Sequence, residues 1–572
     1  MIPPSPHMLA LGVSQPPNQI HAVSVSMPTW ESVTGWGKRE DCVVEKMQTV
    51  YPRFYVHKLL RMLSEAVRKR IALPQTSECM IFPSEKTANR FISGLRSQNA
   101  AVPIDSVWFT LHQVATTDEE QWASFYAIIY GDDMEAQALK CWCIIGDGIS
   151  SRHAEFCLER FDFMKSVSSN PCYITCPTFL GRFQHPGAPP RMDFGTGDKE
   201  AIKSLIARLA KSEKPGSAEV TTRDIFLYPK GMAAINAVAR AVFKTMPRGV
   251  DPQAIIYGWS YADTPKCLPM NGYARFKMYP NGTQEELYEL EASLQSDNRI
   301  SILFCEVPSN PLLESVDMER IRSLAMKYNF IVACDQTLAA FANLDLLPYA
   351  DILMDSLTKM FSGSSNVMAG SVIVNPQSKH YDRIHSALVD DFEDVFFPLD
   401  AEVLAENSAD FEHRILRSNR NAMAIAMLMS LHPSVERIYY PKMASSAALF
   451  EKYRRDTGGY GFLLSILFRQ PSSAVCFYDA LDVCKGPSIG TNFTLAVPYT
   501  QLAHFKEMDW AESCGVSKYI VRISVGLEEE EQVLDRVRKA LQIVEFKAQR
   551  DRGTFCQDRE SSNGTAELIN YN

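Results

Sequence analysis

A chain of 572 residues is too long for one hydrophobic core, so its length predicts two to four domains. Hydrophobic residues make up 46% and charged residues 22%, a globular composition that excludes disorder as the main state. The formal net charge of -9 argues against general binding to nucleic acid or to an anionic membrane. No basic signal segment opens the sequence, and no apolar run reaches the ~20 residues that cross a bilayer, so neither secretion nor membrane insertion is expected.

The fourteen cysteines are scattered along the chain, which indicates the reduced thiols of a cytoplasmic protein. A cluster in the first third lacks the paired spacing of a closed zinc site, apart from one lone pair. This cluster consists of Cys141, Cys143, Cys157, Cys172 and Cys176. We expect core thiols there and no metal site.

The first elements form an N-terminal arm and a small module. Residues 1–59 begin with a stretch rich in proline and polar residues, which predicts an extended arm. Helical spacing of apolar residues follows over His57–Arg70. Residues 60–190 mix strand and helix patterns, with strands expected at Phe125–Tyr130 and Leu139–Ile145 around a polar turn. This predicts an α+β module, to which the sequence assigns no task.

After a connector rich in proline and glycine near Arg182, short apolar strands alternate with longer helices. The predicted strands are Ile225–Tyr228, Ala254–Tyr257, Ile300–Phe304, Phe330–Ala333 and Ile352–Met354. Such alternation indicates a parallel sheet covered on both faces, here assigned to residues 191–415. A helix over Asn421–Leu431 begins a smaller C-terminal α/β domain, residues 416–545, and a disordered tail is expected over 546–572.

The ends of four predicted strands carry residues suited to one ligand, because the carboxyl ends of parallel strands share an edge. The first strand runs into Gly231, which opens a helix and can expose N–H groups to a phosphate. Later strands deliver Glu306, followed by Asn310, and then Asp335, a carboxylate whose burial is costly unless it is paired. The last precedes Lys359. Singly, these residues also fit an empty turn, a helix cap, an ion pair and a solvent-reaching lysine.

Together the strand-end residues match the needs of pyridoxal 5'-phosphate. That cofactor requires an amine for its aldehyde, a carboxylate for its ring nitrogen and an anion cradle for its phosphate. Lys359, Asp335 and the turn at Gly231 would supply the three, and the spacing of the first two leaves room for a crossover between neighbouring strands. The sequence therefore predicts this cofactor.

The segment DQT…YADILMDSLTKMFSGSSNVMAGSVIV resembles the lysine region of the Cys/Met-metabolism pyridoxal-phosphate family, which has fold type I. The segments YPR, KGMAAI, VPSNPLLESVD, SIGTNFTLAVPYT and YIVRISVGLE resemble that family as well. HAVSVSMPTW and DWAESCGVSKYIVRISVGLE look like fungal-type cystathionine γ-synthases. The resemblance covers nearly the whole chain. It implies an aminotransferase-like α/β enzyme with a large cofactor domain and a smaller C-terminal domain.

The resemblance also implies roles for the matching residues. Lys359 would bind the cofactor covalently and shuttle protons, and Arg522 would grip the substrate α-carboxylate. The implied catalytic residues are Lys359, Tyr261 and Tyr51. The implied cofactor-binding residues are Tyr51, Arg53, Gly231, Met232, Tyr261, Asn310, Asp335, Ser356, Thr358 and Lys359. The implied substrate-binding residues are Arg522, Ser488 and Glu306.

Two features of the resemblance bear on assembly and on differences from bacterial relatives. Tyr51 and Arg53 match an arm that reaches the phosphate of a neighbouring subunit, so a homodimer or homotetramer is expected. The chain has Lys230 where the bacterial family has serine, and Gly363-Ser364 where it has Gly-His. The familiar NPT after the arm motif is also missing.

The implied reaction is γ-replacement on an O-acyl-L-homoserine, with L-cysteine as acceptor and cystathionine as product, in methionine metabolism by trans-sulfuration. One alternative keeps the donor but uses sulfide or a carbon nucleophile in a secondary-metabolite pathway, because acceptor choice depends on few pocket contacts. Another is a non-catalytic regulatory relative. The joint presence of Lys359, Asp335 and Arg522 weighs against that alternative.

Overall fold

The computed structural model describes residues 9–47, 55–97, 103–113, 117–183, 194–247, 252–296 and 298–562, with the backbone alone from 551 onward. Within these residues the strands form four sheets of two, four, seven and five strands. None of the described helices is long and apolar enough to cross a bilayer. Tyr51 and Arg53 lie outside the described residues.

The N-terminal arm packs against the C-terminal domain of its own chain. Its elements are β1 (Ser14–Gln15), β2 (Ser24–Val25), α1 (Trp30–Lys38) and α2 (Asp41–Val44). Strands β1 and β2 pair antiparallel, and the Thr29 side chain caps α1 by accepting from the Ser32 amide. Val33 and Trp36 share a core with Tyr478 of the C-terminal domain. The prediction of an extended arm is therefore wrong from residue 30 onward, because α1 has an apolar face to bury.

The module that follows is a four-stranded antiparallel sheet packed with helices. Its elements are α3 (Lys58–Arg70), β3 (Ser77–Phe82), α4 (Glu85–Arg96), β4 (Asp105–Leu111), α5 (Asp118–Gln121), β5 (Ser124–Gly131), α6 (Glu135–Ile145), α7 (Ser151–Arg160) and β6 (Met164–Ser168). The strand order is β3-β5-β4-β6. The predicted helix and the predicted strand at Phe125–Tyr130 are both present.

The predicted strand at Leu139–Ile145 is wrong, because this segment is the second half of α6. Buried positions recur at helical spacing, at Ala138, Cys141, Trp142 and Ile145. A short apolar run cannot be assigned by its period alone. The prediction of core thiols also fails in part: Cys172 and Cys176 are exposed.

The large domain contains the sheet that builds the site. Its elements are α8 (Thr196–Ala210), β7 (Ile225–Tyr228), α9 (Gly231–Lys244), β8 (Gln253–Tyr257), α10 (Thr264–Met270), β9 (Arg275–Tyr279), α11 (Gln284–Gln295), β10 (Ile302–Glu306), α12 (Met318–Tyr328), β11 (Ile331–Asp335), β12 (Ile352–Asp355), β13 (Gly370–Val374), α13 (Tyr381–Asp391) and α14 (Pro398–Ser408). The order is β7-β13-β12-β11-β10-β8-β9. All predicted strands are present. The sheet differs from a purely parallel one in β13, which runs antiparallel to both neighbours.

The C-terminal domain closes one side of the site. Its elements are α15 (Phe411–Ser430), β14 (Val435–Tyr439), α16 (Ala447–Tyr453), β15 (Leu463–Phe468), α17 (Pro471–Ala480), β16 (Cys484–Lys485), β17 (Leu495–Pro498), α18 (Tyr499–Ala503), α19 (Met508–Ser513), β18 (Val521–Ser524) and α20 (Glu530–Ser562). The strand order is β14-β15-β18-β17-β16. The prediction of disorder from residue 546 is wrong as far as Ser562, because α20 continues through it.

Candidate active site

The carboxyl ends of three neighbouring parallel strands meet at one edge of the large sheet. Glu306 ends β10, Asp335 ends β11 and Asp355 ends β12, with Glu306 paired in register to Asp335. A pocket of about 900 Å³, including its opening to solvent, lies at this edge. The predicted residues that line it are Gly231, Met232, Tyr261, Glu306, Asn310, Asp335, Ser356, Lys359, Ser488 and Arg522.

The start of α9 forms a cradle for an anion. Gly231 is its first residue and no side chain caps the helix, so its first N–H groups have no intrahelical partner. A Cβ added at Gly231 would lie 3.0 Å from the Cβ of Ser356, which shows how closely the two approach. The Ser356 hydroxyl is buried and makes no hydrogen bond. Bare N–H groups beside an unsatisfied hydroxyl fit a phosphate.

Lys359 lies in the turn that follows β12, half-buried at the pocket wall. Its Nζ donates to the Ser488 hydroxyl over 3.4 Å. Burial, reinforced by the positive charge of Arg522, lowers the pKa of Lys359 to about 7. A large share of this amine is therefore neutral near pH 7, the form that attacks an aldehyde.

Asp335 provides the carboxylate that a pyridine nitrogen requires. Its Oδ1 accepts from the Thr337 amide at 2.9 Å, and the Thr337 hydroxyl accepts from the Ser356 amide at 2.9 Å. Thr337 thus ties the carboxylate to the phosphate cradle. Burial raises the pKa of Asp335, so a cation placed beside it would be strongly favoured.

Glu306 holds the loop that carries Tyr261. Its Oε2 accepts from the Tyr261 amide at 2.7 Å. Burial first, and the nearby Asp335 second, raise the pKa of Glu306 well above its usual range. The structure therefore gives Glu306 a positioning contact to Tyr261, whose side chain lines the pocket.

Arg522 stands on β18 with its guanidinium held on three sides. Nη1 donates to Asn310 Oδ1 and Nη2 to the Ser488 carbonyl, each over 3.1 Å. The guanidinium carbon lies 5.0 Å from the ring centre of Tyr499. The backbone of Ser488 has a φ of 98°, a strained conformation for a residue other than glycine. Burial lowers the pKa of Arg522 to about 10, so the side chain stays charged at neutral pH.

Thr358 is placed differently from the other predicted residues. It does not line the pocket, and its hydroxyl donates to the Ala369 carbonyl at 3.2 Å and accepts from the Ala369 amide at 3.1 Å. Its contact with a phosphate stays a prediction, as do the roles of Tyr51 and Arg53.

Among the pocket residues that sequence reasoning missed, three carry polar side chains: Thr337, Asp355 and Tyr499. Asp355 is buried with Oδ2 unbonded, and burial raises its pKa well above its usual range. The sequence could have identified Asp355, because it ends strand β12 and directly precedes Ser356. Tyr499 comes from α18 of the C-terminal domain, and nothing in the local sequence marks it as a neighbour of Arg522.

The observations together fit pyridoxal phosphate: an unsatisfied hydroxyl at a bare helix start, a half-buried carboxylate and an amine of lowered pKa share one pocket. Residues 216–542 match the family described as Cys/Met metabolism PLP-dependent enzyme. Residues 59–150 match the N-terminal domain of fungal trans-sulfuration enzymes.

Similar proteins agree with this match. The chain is 46% identical to cystathionine gamma-synthase-like protein ankD of Aspergillus thermomutatus, over 94% of this chain and 95% of that protein. It is 35% identical to cystathionine gamma-synthase of Neurospora crassa, over 94% and 99%. The solved cystathionine gamma synthase of Xanthomonas oryzae, in complex with aminoacrylate and cysteine, shares the fold with a TM-score of 0.53 at 23% identity, over 66% of this chain and 95% of that chain. The chain belongs to the Cys/Met metabolism PLP-dependent enzyme family.

Proposed function

We propose that the chain catalyses γ-replacement on an O-acyl-L-homoserine, with L-cysteine as acceptor. The Cγ–O bond of the ester breaks, a Cγ–S bond forms, and the products are cystathionine and a carboxylic acid. One observation carries the proposal. The amine of Lys359 and the guanidinium of Arg522 line the same pocket, one suited to moving a Cα proton and the other to holding the α-carboxylate.

The residues would divide the work as follows. Gly231, Met232 and Ser356 would hold the cofactor phosphate, and Asp335 its ring nitrogen. The bound cofactor supplies an electron sink that makes the Cα–H bond acidic. Lys359 Nζ would then take the Cα proton and return it later, for which a pKa of about 7 is well matched.

Substrate orientation would come from the opposite wall. The planar guanidinium of Arg522 has five N–H donors, and the bonds to Asn310 and Ser488 fix its plane without exhausting them. A carboxylate bound in parallel to this fork brings Cα into the pocket beside Lys359. Tyr261 would cover the cofactor ring.

A second candidate keeps the homoserine ester but uses sulfide or a carbon nucleophile. The sequence identities support this second candidate. The chain is 46% identical to a protein named cystathionine gamma-synthase-like, but only 35% identical to one named cystathionine gamma-synthase. Few side chains decide the acceptor, so such divergence is enough to change it.

A competition experiment decides between the acceptors. Purified protein loaded with pyridoxal phosphate is offered O-acetyl-L-homoserine together with cysteine, sulfide and a β-keto acid, and products are identified by mass spectrometry. We expect cystathionine to dominate. A dominant carbon–carbon product would replace the proposal with the second candidate, and the Lys359→Ala variant provides the blank.

We further propose that the site is completed by a second copy of the chain through Arg53. An Arg53→Ala chain mixed with a Lys359→Ala chain should then recover activity, since each mixed dimer holds one site with both residues. Random exchange would restore about a quarter of the wild-type rate. The measurement is the rate after mixing, with exchange followed by native mass spectrometry. No recovery despite complete exchange would show that each site is self-contained.

A further inference from the structure

Lys230 immediately precedes the helix that would hold the phosphate, yet its side chain points to the N-terminal module. The residue is buried, with 6% of its surface exposed. Its ammonium donates to the carbonyls of Gly146 and Gly148, in the turn between α6 and α7. A buried ammonium is costly unless hydrogen-bonded, so these two carbonyls fix the position of the α9 start.

A second contact joins the same two elements. Gly146 ends α6 with a φ of 72°, and a Cβ built there would lie 2.5 Å from the amide nitrogen of Ala233. Only glycine allows this approach. One turn further along α9, Asn236 Nδ2 donates to the Ile144 carbonyl at 3.3 Å. The end of α6 therefore lies directly against the first turns of α9.

A third contact holds the C-terminal half of α9. Asp391 of α13 accepts from Arg240 at 2.8 Å and from Lys244 at 2.5 Å, both on α9. Arg90 of the module donates to the Asp391 carbonyl at 2.8 Å and to Asp147 Oδ2 at 3.0 Å. The buried Asp391 is thus shared by α9 and the module, and the guanidinium of Arg240 is the main influence that lowers its pKa.

We propose that the N-terminal module, residues 55–183, is a clamp for α9, and that Lys230 is the positioning residue through which it holds the phosphate cradle in shape. The N–H groups at Gly231 and Met232 bind a phosphate well only if their direction is fixed before the ligand arrives. Lys230 sets the backbone from which they project. This inference rests on the proposed placement of the phosphate at Gly231.

Burial lowers the pKa of Lys230 to about 8. At neutral pH the amine is therefore charged in most molecules and donates to both carbonyls. The carboxylates of Asp147 and Asp400 oppose this lowering.

The test compares two cofactor forms that differ only in the phosphate. Apo protein is titrated with pyridoxal phosphate and with pyridoxal, and Kd is measured by absorbance. In Lys230→Met we expect the affinity for pyridoxal phosphate to fall about tenfold or more, the size seen when an outer support of a ligand site is removed. The affinity for pyridoxal should change less than about twofold, because Lys359 still binds its aldehyde.

Lys485 offers a matched control. It is buried with 2% exposure, and burial also lowers its pKa to about 8. Its ammonium donates to the Pro28 carbonyl of the N-terminal arm and to the Asp479 carbonyl of the C-terminal domain. Lys485→Met should lower Tm and leave both affinities unchanged. A purely structural role for Lys230 would make its methionine variant behave in the same way, and that result would overturn the clamp.

Two further variants make the outcome decisive. Ser356→Ala tests the cradle itself. If this variant leaves both affinities unchanged, the proposed phosphate placement is wrong. If Ser356→Ala selectively loses affinity for pyridoxal phosphate and Lys230→Met does not, only the clamp is refuted. If Lys230→Met does not fold, Gly146→Ala replaces it, since the added methyl group presses on the Ala233 amide. The clamp then requires the same selective loss of phosphate affinity, and equal affinities would refute it.

Discussion

Replacing Lys359 with alanine is expected to abolish γ-replacement and to leave a folded protein. The amine is proposed to provide both the covalent link to the cofactor and the base for the Cα proton, so the change removes both functions at once. The hydrogen bond from Lys359 Nζ to the Ser488 hydroxyl, over 3.4 Å, is long, and burial opposes the charge of the amine. Lys359→Met keeps the hydrocarbon part of the side chain and separates loss of chemistry from loss of packing.

The measurements for this change are turnover, Tm and the site of covalent labelling. Borohydride reduction of the wild-type protein loaded with pyridoxal phosphate should label the peptide that contains Lys359, and neither variant should be labelled. Label on another peptide would show that the lysine is misassigned. If Lys359→Met is inactive because it does not fold, the role of Lys359 is structural and not catalytic.

The stability of the apo protein checks the electrostatic part of the same prediction. The pKa of Lys359 falls from an ordinary 10.5 to about 7 on folding, so between these values the unfolded chain binds more protons. The contribution of this residue to the free energy of unfolding therefore rises with pH across that window. The rise should be smaller in Lys359→Met, and equal pH slopes would contradict a neutral buried amine.

The predicted strands of the large domain were recognisable because each contains a short apolar run in a region of longer helices, as in Ile302–Glu306 between α11 and α12. Strand β13 was missed although its five residues are all buried. It follows β12 without a crossover helix, so the alternation that identified the other strands does not mark it. At Leu139–Ile145 the error was the opposite one, a strand predicted where the chain is helical. A short apolar run inside a helix has the same local sequence pattern as a buried strand.

The candidate site divides in the same way. Residues at strand ends, such as Asp335, were predictable because topology alone brings them together. Tyr499 was not, since its approach to Arg522 depends on the antiparallel pairing of β17 with β18. The direction of Lys230 was also hidden: the sequence shows a lysine beside the cradle, and only the packing of α6 shows that the ammonium faces the module.

Replacing Arg522 with alanine is expected to reduce kcat/KM about 30-fold or more. Removing one partner of a desolvated charge pair costs about 2–5 kcal/mol, and each decade corresponds to roughly 1.4 kcal/mol. The change also leaves Asn310 Oδ1 and the Ser488 carbonyl without their donor, in a site where Arg522 has 6% exposure. Arg522→Lys should recover little, because an ammonium cannot offer two parallel N–H groups to one carboxylate.

Steady-state kinetics with the homoserine ester, together with a melting curve for each variant, separates substrate binding from structure. The visible absorbance of the bound cofactor should persist, because Arg522 is not proposed to contact the ring or the phosphate. Arg455 is the matched structural control: it is buried and donates to the carbonyls of Phe341, Leu344 and Lys211. Arg455→Ala should lower Tm with little change in KM. If Arg522→Ala behaves like that control, Arg522 does not hold the α-carboxylate, and the γ-replacement proposal loses its substrate anchor.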